Sequence, residues 1–272
     1  MAYASPRAGA RVRRTLIDGT DMGTLYASGK FPVRGEGSVV VAQSVQKLTS
    51  SVIVEAAIVV ADRDGLDALS MRRIADELGV GAMSLYRHIA DKDALLQAMA
   101  EEIGTRFPYP VQECSSTWRE RIEIAVEIDW ELYQRHPWVV LAYATPRYAF
   151  GTESLAGLDW LIAGFVDVGV GHVRAAEMAL AFWSLVNGVA LAAVGEQLLS
   201  VQLRRRGAEA SPSPDGGLAD LIAGRLAVDP TTLPQLAALA GNPDATRLSD
   251  PRAVLDAGLR VLCAGFVTEV SG

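Results

Sequence analysis

Cysteine, histidine and lysine are scarce in this 272-residue chain, which contains two, three and three of them. The two cysteines, Cys114 and Cys263, lie far apart and form no disulfide framework. So few cysteines and histidines also give no pattern typical of a metal site. The first 30 residues lack the apolar run of a signal peptide. We therefore expect a cytoplasmic protein that uses no metal and no other cofactor.

Long apolar stretches are also rare, and the main one runs from Met178 to Gly195. It contains Asn187 and is flanked by Glu177 and Glu196, whereas membrane spans are usually bordered by Lys or Arg. We interpret it as a buried or interface helix and expect no membrane partner. A membrane span is the less favoured alternative.

Positive charge is in deficit, since the formal net charge is −7. Residues 47–107 carry seven basic and ten acidic side chains, and residues 1–46 carry six and three. A net acidic chain can still bind nucleic acid, because binding needs only a locally basic face. Residues 1–46 show no sustained periodicity and are predicted to be a flexible N-terminal arm. Its Arg11–Arg14 segment is either a phosphate contact or part of a tail without a role.

Helical periodicity begins at Thr49 and recurs to the end of the chain, interrupted by a polar stretch at Arg204–Gly217 that is predicted to be an exposed loop. No alternating strand pattern competes after residue 48, so the predicted fold is all-α. Pro108 and Pro110 mark a boundary between a domain at 47–107 and a second, all-helical domain at 108–272. The predicted helices of the second domain are Ser116–Arg135, Ser154–Val168, Arg174–Leu203 and Asp250–Val270.

Residues 70–92 have the pattern of a helix-turn-helix. Ser70 caps a short helix that ends at Leu78, and Gly79 occupies the position where a left-handed residue is needed. A further helix, Ala82 to Ile89, follows after a three-residue turn. Asp91 then caps a helix that runs to Phe107.

The second helix of this motif leaves a set of side chains suited to reading DNA. Small and apolar residues near its start can contact thymine methyl groups, Arg87 can pair with guanine, and hydroxyl groups can bond to phosphates or base edges. Helix N-termini favour phosphate, which adds Ser70, Arg72 and Lys92. The alternative is that these charges are an ordinary solvated face. The outward-facing residues of the helix are Ala82, Met83, Ser84, Tyr86, Arg87 and His88.

The C-terminal domain is rich in aromatic residues that either fill a core or line an apolar pocket with a few polar groups. Asp129 and Asn187 are polar residues within apolar helical patterns and are candidates to orient a ligand. The ligand itself is not identified by the sequence. The candidate pocket residues are Asp129, Trp130, Tyr133, Trp138, Trp160, Phe182, Trp183 and Asn187.

The segment at 48–107 resembles the DNA-binding domain of the tetracycline repressor (TetR) family. The resemblance rests on Leu69–Ala75, Leu78-Gly79-Val80, Leu85–His88 and Lys92–Leu96, and it continues more weakly at His136–Trp138 and Asn187-Gly188.

This resemblance implies a transcriptional regulator that binds palindromic operator DNA as a homodimer and is released by a small-molecule effector, most often as a repressor. It also implies that Ser70, Arg72, Tyr86 and Lys92 hold phosphates. The residues that it places in the major groove are Ala82, Met83, Ser84, Tyr86, Arg87 and His88. With only His136 and His172 in the second domain, a histidine-held magnesium–tetracycline complex is not expected.

Two other function classes compete with a ligand-responsive regulator. An all-α enzyme is not favoured, because the sequence contains no Asp-Asp-x-x-Asp, Glu-x-x-His or Gly-rich phosphate loop. A small-molecule carrier would use only the C-terminal pocket, and it would have no use for an exposed Tyr86-Arg87-His88 group. The sequence therefore favours a DNA-binding regulator that is not an enzyme.

Overall fold

A computed structural model describes residues 47–112, 116–205, 218–225 and 227–271. In these ranges every regular element is a helix, which confirms the all-α prediction. Residues from 47 onward form one compact unit. The predicted N-terminal arm at 1–46, residues 206–217 of the predicted polar loop, and Cys114 lie outside the described residues.

Four helices form the N-terminal part of this unit, with a short 3-10 turn at Leu66–Ala68 between the first two. They are α1 (Ser50–Asp64), α2 (Met71–Leu78), α3 (Ala82–Leu85) and α4 (Lys92–Arg106).

The C-terminal part contains two long helices that pack against each other, α9 and α12, and several shorter ones. A second 3-10 turn, Pro243–Ser249, precedes the last helix. The helices are α5 (Trp118–Arg135), α6 (Val139–Tyr143), α7 (Pro146–Ala149), α8 (Thr152–Val166), α9 (His172–Arg205), α10 (Leu218–Ile222), α11 (Pro234–Ala237) and α12 (Pro251–Ser271).

Side-chain caps fix where the N-terminal helices begin. The oxygens of Thr49, Ser70 and Asp91 accept hydrogen bonds from the backbone N–H groups three residues later, at 3.3, 3.1 and 2.8 Å. Each bond satisfies one of the N–H groups that a helix start leaves without an intrahelical partner. Residues that lie next to each other in the sequence therefore define where these three helices begin.

The turn between α2 and α3 depends on Gly79. Its φ is 65°, in the left-handed region that a side chain with a Cβ disfavours, and its N–H bonds back to α2. Gly81 precedes α3, which ends at Leu85 instead of the predicted Ile89. Residues 86–88 form a turn in which the N–H groups of His88 and Ile89 donate to the Leu85 carbonyl at 2.9 and 3.0 Å, and Asp91 is extended (φ −159°) where it caps α4.

The main hydrophobic core extends from Ile53 in α1 to Phe266 in α12, and Leu221, Ile222 and Ala245 form a small separate cluster. The division of this unit at residue 107 into two domains stays a prediction. By length and composition the segment His172–Gly195 of α9 could also cross a membrane, and one third of it is buried within the chain. Its exposed apolar residues include Val173 and Leu191.

Candidate DNA interface and ligand cavity

The helix-turn-helix presents its predicted reading residues outward. Leu85 and Ile89 are buried and anchor α3 and the following turn to the core. Met83 is 76% exposed and Tyr86 is 46% exposed, although large apolar and aromatic side chains are usually buried. Among the other candidates, Arg87 and His88 are exposed, and Ala82 and Ser84 are partly exposed.

The predicted phosphate contacts lie at the two helix starts beside this surface. The Ser70 oxygen caps α2, Lys92 is the first residue of α4, and Arg72 lies in the first turn of α2. All three are exposed. Within the described residues, none of the cations of Arg72, Arg87 and Lys92 forms an ion pair with a carboxylate of the chain, whereas Arg73 is held by Asp64 at 3.0 Å. These three cations are therefore available to phosphate.

The acidic residues of the same segment are largely occupied by other partners. Asp64 and Glu77 bind the guanidinium of Arg63, which holds the pKa of both carboxyl groups below the usual range. Further pairs join Glu55 and Glu102 to Arg106, Asp93 to Arg147, Asp62 to His136, and Asp67 to Gln202. Residues 47–107 are net acidic, yet the surface around Arg72, Arg87 and Lys92 is locally basic. This surface is called the reading face below.

A cavity of about 190 Å³ lies between α4 and the helices of the C-terminal part. Its walls come from six helices and from the segment that connects α4 to α5. The lining residues are Gly104, Phe107, Pro108, Tyr109, Asp129, Leu132, Tyr133, Tyr143, Ala149, Phe150, Glu153, Ser154, Gly157, Leu180, Trp183, Ser184 and Asn187.

A hydrogen-bonded chain of three side chains crosses this cavity. The indole N–H of Trp183 donates to the Tyr109 hydroxyl at 2.9 Å, and that hydroxyl donates to the Asp129 carboxylate, at 2.8 and 2.9 Å from its two oxygens. Asp129 is 8% exposed, and this desolvation raises its pKa to about 7. Burial, with the Asp129 charge as a second cause, raises the pKa of Tyr109 well above its usual range.

The other polar groups of the cavity are also held in place. The Tyr133 hydroxyl donates to the side-chain oxygen of Asn187, which ties α5 to α9. Burial raises the pKa of Tyr133 well above its usual range and that of Tyr143 to about 12. The tyrosines therefore remain neutral hydrogen-bonding groups at physiological pH.

Half of the predicted pocket residues line the cavity, namely Asp129, Tyr133, Trp183 and Asn187. The other four lie elsewhere. Phe182 and Trp160 are buried in the core. Trp138 is also buried, and its indole N–H donates a hydrogen bond to Asp62 at 2.7 Å. Trp130 is partly exposed, and the guanidinium carbon of Arg252 lies 5.7 Å from its ring centre.

The sequence-based candidates omitted Tyr109, which is the centre of the polar chain. A tyrosine between two prolines, in a segment without periodicity, gives no signal for burial. Its place depends on Gly157 of α8, because a Cβ there would lie 2.9 Å from the Tyr109 ring. The wall residues Phe107, Phe150 and Glu153 were also absent from the candidates.

Helices α1 and α4 connect the helix-turn-helix to the cavity walls. The Asp62 carboxylate of α1 lies 2.9 Å from Nδ1 of His136 and accepts the Trp138 N–H at 2.7 Å. In α4, the Glu101 carboxylate accepts a hydrogen bond from the backbone N–H of Thr152 at 3.0 Å. The Asp93 carboxylate accepts hydrogen bonds from the side chains of Arg147 and Tyr148. These contacts join α1 and α4 to the segments next to the cavity-lining residues Tyr133, Ala149 and Glu153.

Comparison with known proteins agrees with this geometry. The family model described as "Bacterial regulatory proteins, tetR family" matches residues 53–99, which include α2, the turn and α3. Apo ActR from Streptomyces coelicolor has a similar structure over 82% of this chain and 97% of its own, with a TM-score of 0.64 and 28% identity.

The chain belongs to the TetR family. The resemblance seen in the sequence is therefore confirmed. Among characterised members, the repressor DrrR1 of Streptomyces coeruleorubidus is 30% identical over 182 residues, covering 67% of this chain and 63% of DrrR1. A regulator of Saccharopolyspora erythraea is 33% identical over 141 residues, covering 52% and 59%. The chain thus spans about three fifths of the length of the curated relatives it matches.

Proposed function

We propose that this TetR-family chain is a ligand-responsive transcriptional repressor. One observation carries the proposal: the cavity takes part of its wall from α4, the helix that begins at the reading face with Lys92 and reaches the cavity at Gly104. A ligand that displaces α4 would move the reading face. The structures of ActR in complex with actinorhodin and with (S)-DNPA support the ligand part of this proposal.

The proposed DNA contact uses the residues predicted from the sequence. Arg87 and the turn beside it enter the major groove, and Ser70, Arg72 and Lys92 hold phosphates on either side. In a dimer, the two helix-turn-helix units must lie about 34 Å apart to enter successive major grooves. A ligand that stabilises a different spacing therefore releases the operator, and by linkage the operator weakens ligand binding by the same factor.

Dimerisation is part of the proposal, because the helix-turn-helix of one subunit contacts only half of a palindromic operator. Apolar side chains remain exposed on the packed pair α9 and α12, including Leu199 at 55% and Val261 at 75%. Contiguous exposed apolar surface of this kind is typical of a subunit interface. Light scattering should give a dimer mass for the wild type and a monomer mass for Val261→Glu. A monomeric wild type at micromolar concentration would contradict this part.

Selection of DNA from a random duplex library tests the central claim. The full chain should enrich a palindrome with half-site centres about one helical turn apart. A Tyr86→Ala/Arg87→Ala variant should enrich nothing, and Arg225→Ala, which removes an exposed cation outside the helix-turn-helix, should enrich the same palindrome as the wild type. Failure of the wild type to enrich any sequence would contradict the proposal and favour a carrier or an enzyme.

A further inference from the structure

The cavity is acidic as well as apolar. Among its lining residues in the described part of the chain, the charged side chains are Asp129 and Glu153, and none is Lys, Arg or His. Asp129 is more than nine-tenths buried, and both of its oxygens share the single hydroxyl of Tyr109. A carboxylate is therefore buried at the wall of a ligand-sized space without a cation beside it.

Such a carboxylate is costly unless something compensates its charge. Buried charges in proteins are normally paired with an opposite charge, since one neutral hydrogen bond does not replace the lost hydration. The raised pKa of Asp129 reflects this lack of compensation. A positively charged group in the cavity would provide the missing partner.

The remaining walls suit the rest of a cationic ligand. Trp183, Tyr109 and Tyr133 surround the carboxylate, and Phe107 and Phe150 also line the space. Aromatic rings attract cations through their negatively polarised faces and bury apolar surface as well. An anionic ligand would instead meet two carboxylates and no basic side chain.

We propose that the effector of this chain is an amine-bearing apolar compound whose ammonium group binds Asp129 inside the aromatic cavity. This inference rests on the proposed function, and it adds the chemical class of the ligand. The ammonium donates to the carboxylate oxygens, so that the cavity selects the ligand by charge as well as by shape. Glu153 adds negative potential at the same cavity.

Three fluorescent tricycles of similar shape test the charge selection: 9-aminoacridine, a cation, acridone, which is neutral, and acridine-9-carboxylate, an anion. Their binding to the full-length protein is measured without DNA by fluorescence anisotropy at pH 7.5. The cation should bind at least about tenfold more tightly than acridone, equivalent to about 1.4 kcal/mol, and the anion should bind most weakly. Equal affinities, a preference for acridone or the anion, or no binding of the cation at millimolar concentration would overturn the proposal.

Two variants assign the selection to Asp129. Asp129→Asn keeps the shape and should remove the preference for the cation, whereas Glu131→Gln removes a charge from the same helix outside the cavity and should retain it. For the wild type alone, cation affinity should rise from pH 6 to pH 8 as Asp129 loses its proton. The facing tyrosines Tyr109, Tyr133 and Tyr143 stay neutral across that range. Loss of selectivity in both variants, or in neither, would contradict the assignment.

A gel shift without any tricycle separates this inference from the proposed function. Wild type and Asp129→Asn should both bind the selected DNA. If both bind DNA but no cation preference exists, the charge inference fails and the repressor proposal stands. If the cation preference exists but neither protein binds DNA, the repressor proposal fails and the cavity belongs to a carrier.

Discussion

Replacing the buried Asp129 by asparagine should make the protein more stable at alkaline pH. The pKa of this carboxyl group is about 7 in the folded chain, against 3.8 for an unperturbed aspartate. Between pH 3.8 and pH 7, the Asp129 carboxyl group is therefore protonated in the folded state and ionised in the unfolded state. The stability that depends on Asp129 is fully present below pH 3.8 and is lost as the pH rises through 7.

The size of the effect follows from the same two pKa values. A pKa shift of this size changes the unfolding free energy by about 4 kcal/mol over the whole pH range, at about 1.4 kcal/mol for each pH unit. Between pH 5.5 and pH 8.5 the wild type should lose about 2 kcal/mol of unfolding free energy through this group. Asp129→Asn removes that loss, because the amide does not titrate.

Urea denaturation at pH 5.5 and pH 8.5, at one fixed protein concentration, measures this difference. The gain of Asp129→Asn over the wild type should be about 2 kcal/mol larger at the higher pH. Glu131→Gln on the same helix should show the pH dependence of the wild type. If the difference between Asp129→Asn and wild type is the same at both pH values, the carboxylate is not buried without compensation, and the argument from desolvation is refuted.

Four further outcomes test the reading face and the packing of the domain. Lys92→Ala should weaken binding to all DNA sequences alike and lower the slope of log affinity against log salt by about one unit, because one phosphate is no longer neutralised. Arg87→Ala should relax preference at particular base pairs at a cost of about 1–3 kcal/mol, visible when the selection is repeated with the variant. Gly79→Ala should cost about 1–2 kcal/mol in urea denaturation through backbone strain alone, because its Cβ would meet nothing within 4 Å, and an equal loss in Gly79→Asn would contradict that cause. Asp62→Ala should cost about 1–3 kcal/mol by leaving the buried Trp138 N–H without its acceptor, and in a double-mutant cycle Trp138→Phe should restore part of that loss.

The sequence predicted the helix-turn-helix well because its determinants are local. Ser70 caps α2, Gly79 takes the left-handed turn and Asp91 caps α4, as the pattern of residue types indicated. The one difference is the end of α3, which was predicted at Ile89 and lies at Leu85. There the chain continues as a turn in which the N–H groups of His88 and Ile89 both donate to the Leu85 carbonyl, and a spacing pattern does not distinguish such a turn from a longer helix.

The cavity was only partly predictable, because periodicity identifies the inward face of a helix but not what that face meets. Trp138 and Asp129 were both predicted to line the pocket. One is used to bind Asp62, 76 positions away in the sequence, and the other lines the cavity. Tyr109 was missed for a related reason, since its burial depends on the absence of a side chain at Gly157 in another helix.

The pairing of acidic side chains around the helix-turn-helix has a consequence for how such a protein searches a chromosome. Five of the ten acids at 47–107 pair with arginines, while Arg72, Arg87 and Lys92 form no ion pair within the described residues and lie on the face proposed to bind DNA. The chain as a whole carries a net charge of −7, which opposes the approach of its acidic surfaces to DNA. Nonspecific affinity comes almost entirely from binding to phosphates, and it is low for a surface with so few free cations. Little of the protein is then held at the many competing genomic sites, and a small number of copies suffices to keep an operator occupied.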